Sequence, residues 1–208
     1  MATFKSTTFG KISGRHGSAV AAELRNGMNV LKVFTPPFNS KSVKQVAQRT
    51  KFRLVITSLN CLHDLFSITF RTTGGAHHAV SLALKNAVTG TSPDFNIDYT
   101  KLVLSEGIIY GTSQVIAAKT TGSSVRIDWV NNLYKTSALA TDNVNLIFFK
   151  EAEKEAVLME NCAQRAAETV EVELPPEWAG GKVHSWIYFT DEDGLHNSLS
   201  KYISLVQL

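Results

Sequence analysis

The sequence predicts a mainly β protein with a small helical part, of α+β class: an N-terminal β-hairpin and two helices followed by a β-sandwich. Three observations carry this expectation. From about residue 100 onward the chain is a series of short alternating segments broken by Gly, Asn-Asn and Asp-Gly turns. Helical apolar spacing is confined to two stretches between residues 41 and 88. Near the N-terminus an Asn-Gly pair separates two short runs, a strong local hairpin signal. The 208 residues are 44% hydrophobic and 19% charged, which suits a globular chain long enough to bury a working core. The expected division is a basic hairpin arm with a two-helix region over residues 1–98 and a sandwich over 99–208.

Element by element, Gly10, Gly14 and Gly17 space a basic entry segment. SAVAAELR and MNVLKVF then flank Asn26-Gly27, which suits the positive φ angles of a two-residue turn, with Val20, Ala22 and Leu24 sharing a face. Pro36-Pro37 ends the strand. Asn39 or Ser40 is placed to cap a helix, and Ser42 with Gln45 has capping-box spacing. A helix is expected at roughly 41–60, with a strand at Phe66–Phe70, a second helix over Ala76–Val88 and Gly90 as its C-terminal cap. β segments are expected at LVLSEG, QVIAAKTTGSSVRIDWV, NVNLIFFKEAE, AVLMENCAQ, ETVEVELP, KVHSWIYFTDEDG and SLSKYISLVQL. Val125, Ile127 and Trp129 share one face, as do Val170, Val172 and Leu174, which leaves Glu171 and Glu173 on the other.

Charge is unevenly distributed. The net formal charge is +3, yet residues 1–53 hold ten basic groups against Glu23 alone, and eight glutamates between Glu151 and Glu177 face Lys154 and Arg165. A chain with opposed poles binds a polyanion through its basic end, or attracts another copy of itself head to tail. The basic arm is read as Lys5, Lys11, Arg15, Arg25, Lys32, Lys41, Lys44 and Arg49. The acidic face is read as Glu151, Glu153, Glu155, Glu171, Glu173 and Glu177. Trp178, after Pro175-Pro176-Glu177, is expected to be the exposed aromatic anchor beside it.

The order of parts in the second half resembles a fibronectin type III or immunoglobulin-like domain. Trp129 lies in an early strand, one strand ends in Leu174-Pro175, and a Tyr/Phe-rich strand precedes the Asp193-Gly194 turn and a closing strand. Over nearly the whole chain, FGKISGRHGSAVAAELRNGMNVLKVFTPP, QVAQRTKF, LKNAVTGTSPDFNIDYTKLVLSEG and KVHSWIYFTDEDGLHNSLSKYISL, in that order, are similar to an uncharacterised bacterial family, a domain of unknown function. That resemblance implies a glycine-spaced basic hairpin, a Gln/Arg-bearing helix, a connector and an Ig-like second half. It implies no activity and no catalytic residues.

No catalytic signature is legible, so a non-enzymatic protein without cofactor or metal is expected. The Gly10, Gly14, Gly17 spacing lacks the Lys-Ser/Thr and following helix of a phosphate loop. His77-His78, adjacent on a helix, diverge by about 100° and cannot share an ion. His63-Asp64, His184 and His196 have no completing partners, and there is no G-x-S-x-G elbow. Cys61 and Cys162 are expected to be reduced, buried thiols. The leading expectation is a structural or assembly protein, self-associating or part of a larger complex such as a phage-like particle. The alternative is nucleic-acid binding by residues 1–53, with Phe4, Phe9, Phe34 and Phe38 for stacking. A carbohydrate- or peptide-binding module ranks below both. The N-terminus shows no secretory h-region, so cytoplasmic synthesis, with or without later release in a particle, is expected.

Overall fold

A computed structural model describes residues 2–5, 10–36, 42–71 and 73–208. The chain separates into two compact units, Met1–Ser42 and Val43–Leu208. The division thus falls at 42/43, not at the expected 98/99.

The smaller unit is an antiparallel four-stranded sheet: β1 (Ala2–Phe4), β2 (Gly14–His16), β3 (Ala19–Glu23) and β4 (Asn29–Val33), in spatial order β1-β4-β3-β2. The expected hairpin is its centre, β3 against β4, with Glu23 opposite Asn29. Its turn is not the two-residue kind. Leu24 N–H donates to Met28 O and Gly27 N–H to Leu24 O, at 2.8 and 2.9 Å. The loop is therefore the three residues Arg25-Asn26-Gly27, with Gly27 at φ +75° supplying the left-handed residue that lets the strand re-enter the ladder. Asn29 pins the entry segment across this sheet: its amide donates to Gly10 O at 2.9 Å and its carbonyl oxygen accepts from Ile12 N at 3.1 Å. The expected capping residues Asn39 and Ser40, together with Pro37, lie outside the described residues.

The larger unit starts with α1 (Val43–Leu59) and a 3-10 turn at Asn60–Leu62, then α2 (His63–Thr69) and α3 (Gly75–Asn86). The strand expected at Phe66–Phe70 is helix. FSITF has strand-like composition, but Leu62, Leu65, Phe66, Thr69 and Phe70 recur at helical spacing and all are buried, so packing overrides local propensity. The α3 helix ends at Asn86, and Gly90 is not its cap. Instead Gly90 sits in a hairpin of β5 (Val88–Thr91) and β6 (Asp94–Ile97), at φ +89°, where a Cβ would meet Asp94 O at 2.4 Å. LVLSEG is not a strand either. Leu104 N–H and Ser105 N–H both donate to Ser200 Oγ, at 2.8 and 3.2 Å, and Ser105 O accepts from Ser200 N at 3.0 Å, contacts that do not build a ladder.

Seven strands follow: β7 (Val115–Lys119), β8 (Ser124–Trp129), β9 (Asn143–Lys150), β10 (Glu155–Gln164), β11 (Thr169–Glu173), β12 (Lys182–Thr190) and β13 (Lys201–Gln207). One sheet runs β11-β8-β7 and the other β10-β9-β12-β13. Placing the first, second and fifth strands against the third, fourth, sixth and seventh gives the Ig/fibronectin-III-like sandwich. Between the sheets lie Val125, Ile127, Trp129, Val144, Leu146, Phe148, Val183, Ile187 and Phe189. The four-stranded sheet is apolar on its other face too. Ile147, Phe149, Trp186 and Tyr188 share a second core with Val55, Leu59, Leu62, Phe66, Phe70, Ala79 and Ala83 of the helices. This doubly covered sheet explains the unbroken run NLIFF, since a strand buried on both sides need not alternate.

Asn197 ties the helices to the sandwich, its amide donating to Ile68 O at 3.1 Å and Thr69 O at 3.0 Å. Gly107 passes so close that a Cβ would meet Asn197 O at 2.1 Å. Arg165 holds the continuation of the same stretch, at Tyr110 and Gly111. Its side chain is fully buried, Nε donating to Asp142 Oδ2 at 2.9 Å, the Nη atoms to Gly111 O, Asn131 O and Tyr110 O, with the guanidinium 3.8 Å above the Phe189 ring.

Candidate interaction surfaces

The residues expected to form one basic arm are distributed over both units. Lys5, Lys11, Arg15, Arg25 and Lys32 are exposed on the small sheet, Lys44 and Arg49 are exposed on α1, and Lys41 lies outside the described residues, as do Phe9 and Phe38. Register decides which side of the sheet each strand residue occupies. Arg15 pairs with Val20 and Val20 with Lys32, so both cations share a face with Thr3, Ala22 and Val30. Arg15 lies 3.9 Å over the Phe34 ring and donates to Gly17 O at 3.0 Å, which fixes the guanidinium on that face. The other face carries Phe4, Ala19, Ala21, Glu23, Leu31 and Val33, and there Lys11 is paired with Glu23 at 3.2 Å. The sheet thus carries Arg15 and Lys32 on one side and, on the other, exposed apolar side chains beside the Lys11–Glu23 pair and His16.

The expected acidic face is also divided. Glu153, Glu155 and Glu177 come together around an open cleft of about 510 Å³, shared with Lys154, Pro175 and Cys61. Glu151 belongs to a different cleft. Glu171 and Glu173 project from the edge strand β11, where Glu171 accepts from Thr120 Oγ1 at 2.5 Å and stands opposite Arg126. Lys150, buried, binds Glu153 at 2.7 Å and donates to Glu177 O at 3.3 Å, holding the β9–β10 turn against the loop that follows β11. Trp178 is not the exposed anchor. It is 2% exposed, part of the sandwich core, with its indole N–H donating to Glu155 Oε2 at 3.1 Å. The two prolines before it turn the chain inward, so the ring completes the core beneath the glutamates. Cys61 is exposed and Cys162 half-buried, both free, against the expectation of two buried thiols. Burial pushes both thiols up from their ordinary value.

One grouping had no signal in the sequence beyond the alternation of His184 with Trp186 and Tyr188. His184 stacks 4.4 Å from Tyr99 and lies 5.9 Å from both Trp186 and Tyr202; its Nδ1 is 3.0 Å from the Tyr202 hydroxyl, and Nε2 is 3.9 Å from Glu151. His184, Tyr99 and Glu151 border a cleft of about 740 Å³, with Trp186 and Tyr202 behind the imidazole. Burial lowers the His184 pKa from its ordinary value, and the Glu151 carboxylate opposes that shift in part. Burial first, then the Glu151 charge, pushes Tyr99 up to about 12. The folded His184 ring therefore takes up a proton less readily than the same ring in the unfolded chain. As pH falls below about 6.5 the unfolded chain takes up a proton that the folded ring resists, so stability declines until the lower folded pKa is passed. Urea midpoints measured between about pH 7 and about pH 5 are expected to fall more for the wild type than for His184→Gln, which keeps a hydrogen-bonding group beside Tyr202. Equal slopes would refute the assignment.

His78 Nε2 lies 2.6 Å from Glu106 Oε2, whereas His77 is exposed and turned away. Among the described residues no three His, Cys, Asp or Glu side chains gather as metal ligands, and no helix is long and apolar enough to cross a membrane.

A search of curated proteins finds no match. Among solved structures the chain is similar to the fn3 domain of the human collagen alpha-1(XX) chain, at 13% identity and a TM-score of 0.37, over 48% of this chain and 84% of that one. A family model matches residues 12–204, from the small sheet through the last strand, so the chain belongs to the family of unknown function DUF6266.

Proposed function

We propose that the protein is a non-enzymatic assembly module whose basic sheet face docks on the glutamate-rich end of the sandwich of a neighbouring copy. The observation that carries this reading is the sorting of charge onto surfaces. Arg15 and Lys32 stand on one side of the small sheet, and Glu153, Glu155 and Glu177 converge on one cleft. A contact between two different patches of the same chain is heterologous and propagates as a ring or filament, the geometry of a particle component. Its strength depends on ionic strength, because both patches are solvated.

Light scattering of the full chain across a salt series tests it. Association is expected to grow as salt is lowered, and Lys32→Glu and the pair Glu155→Lys/Glu177→Lys are each expected to weaken it at least about tenfold, roughly 1.4 kcal/mol. Mixing the two variants is expected to give a one-to-one pair that grows no further, since one supplies the intact acidic patch and the other the intact basic one. Scattering that ignores both salt and charge reversal overturns the reading.

A second reading is favoured by α1. This helix contains no acidic residue, and Gln48, Arg49, Phe52 and Arg53 surround a shallow hollow with Phe52 half exposed. Guanidinium groups beside an aromatic ring suit single-stranded nucleic acid. Fluorescence anisotropy with a labelled oligonucleotide decides between them: tight, salt-sensitive binding lost in Phe52→Ala supports this reading.

A further inference from the structure

The four-stranded sheet of the sandwich ends at β10, which pairs with β9 alone. Over residues 155–158 no backbone bond is made outside that ladder among the described residues, so alternate N–H and C=O groups of this stretch point outward as a free edge. Beyond it the edge is interrupted. Met159 pairs with Leu146 and Ala163 with Val144, so three residues of β10 stand against Asn145 alone, and Asn161 N–H donates to the Asn145 side chain at 2.9 Å. A bulge of this kind terminates strand pairing. The stretch open to a further strand is therefore short and defined.

This edge is the floor of a trough. On the helix side Ala156 and Leu158 meet Leu62, Leu65 and Ile68 around a cleft of about 230 Å³. That is below the roughly 300 Å³ at which small-molecule pockets begin, and it suits a single aliphatic side chain. On the sandwich side Ala156 and Val157 border the cleft of about 510 Å³ that holds Glu153, Glu155 and Glu177. Cys61 lines both clefts, so the two meet along the edge. Those three glutamates and the exposed Asp64 stand here against Lys154 and the buried Lys150, which leaves an excess of negative charge. A strand added to β10 alternates its side chains between the two clefts. We infer that β10 accepts an extended peptide segment of a partner protein, with aliphatic residues turned toward α2 and Lys or Arg residues between them turned toward the glutamates. Backbone bonds to the free edge supply the affinity, and the two clefts supply the specificity. The trough shares three glutamates with the assembly reading, but it needs no second copy, and its wall on α2 has no part in that reading.

Fluorescence anisotropy of the full chain with a short labelled peptide of alternating Lys and Val tests the proposal, and binding is expected. A block peptide of the same composition keeps the charge and loses the alternation, and is expected to bind at least about tenfold more weakly. N-methylation of all the valines, or of all the lysines, removes one alternate set of backbone donors. One of these two modified peptides is expected to lose at least about tenfold as well. Ile68→Glu is expected to weaken the alternating peptide by a similar factor while leaving the low-salt self-association of the chain in place. The peptide series uses the wild-type chain, so its outcome does not depend on how a variant folds. Failure of the alternating peptide to bind overturns the proposal, and so does equal binding of the block peptide or of both N-methylated peptides. Peptide binding without any salt-dependent self-association upholds the trough and overturns the assembly reading alone.

Discussion

Arg165→Ala is expected to destabilise the protein by about 3–5 kcal/mol, the cost of leaving one member of a buried ion pair alone. Asp142 is buried with it, and removal of the guanidinium strands a carboxylate out of reach of water. Three carbonyls lose their donor at the same moment, those of Tyr110, Gly111 and Asn131, each on a connection between strands. These carbonyls are half-buried, so water replaces the donor in part and each loss costs at most about 1–3 kcal/mol. For that reason Arg165→Met with Asp142→Leu, which removes both charges and keeps the volume, is expected to recover part of the loss and not all of it. Chemical denaturation of the three proteins measures the difference. A single variant within about 0.5 kcal/mol of wild type, the range of ordinary surface substitutions, would show that the clasp is dispensable.

Trp178→Ala gives the second large effect, expected at about 3–5 kcal/mol for truncating a buried aromatic side chain. The same substitution at an exposed anchor would lower affinity and leave stability unchanged, so a denaturation curve separates the two roles. Trp178→Phe is expected to cost less, because it keeps most of the packed surface and gives up the indole bond to Glu155. If Trp178→Ala melts with the wild type, the ring lies outside the core.

These two residues also show how far the sequence could be read. The sandwich was legible because its inward positions obey a local rule: Val125, Ile127 and Trp129 alternate, and all three are buried. The Asn-Gly hairpin was legible for the same reason, although the turn lengthened by one residue to place Gly27 in the left-handed region. Trp178 and Arg165 obey no local rule. Trp178 follows two prolines and a glutamate, which reads as a loop, and whether a loop folds over a core depends on strands distant in sequence. Arg165 reads as one cation among glutamates, and its partners lie 23 to 55 residues away. Phe66–Phe70 failed differently: its composition favours a strand, and contacts with α3 and the sheet selected a helix. Charge counts located the poles but not their division, since register sends Lys32 to one side of the small sheet and Leu31 and Val33 to the other.

The four-stranded sheet covered on both sides has a consequence for how this molecule comes apart. Trp186 and Tyr188 face the helices while Ile187 and Phe189 face the second sheet, so consecutive residues of β12 serve two cores. Any opening that frees one layer strips that strand of half its cover. The larger unit therefore behaves as a single cooperative foldon, in which the helices cannot melt early and leave an intact immunoglobulin-like remnant behind.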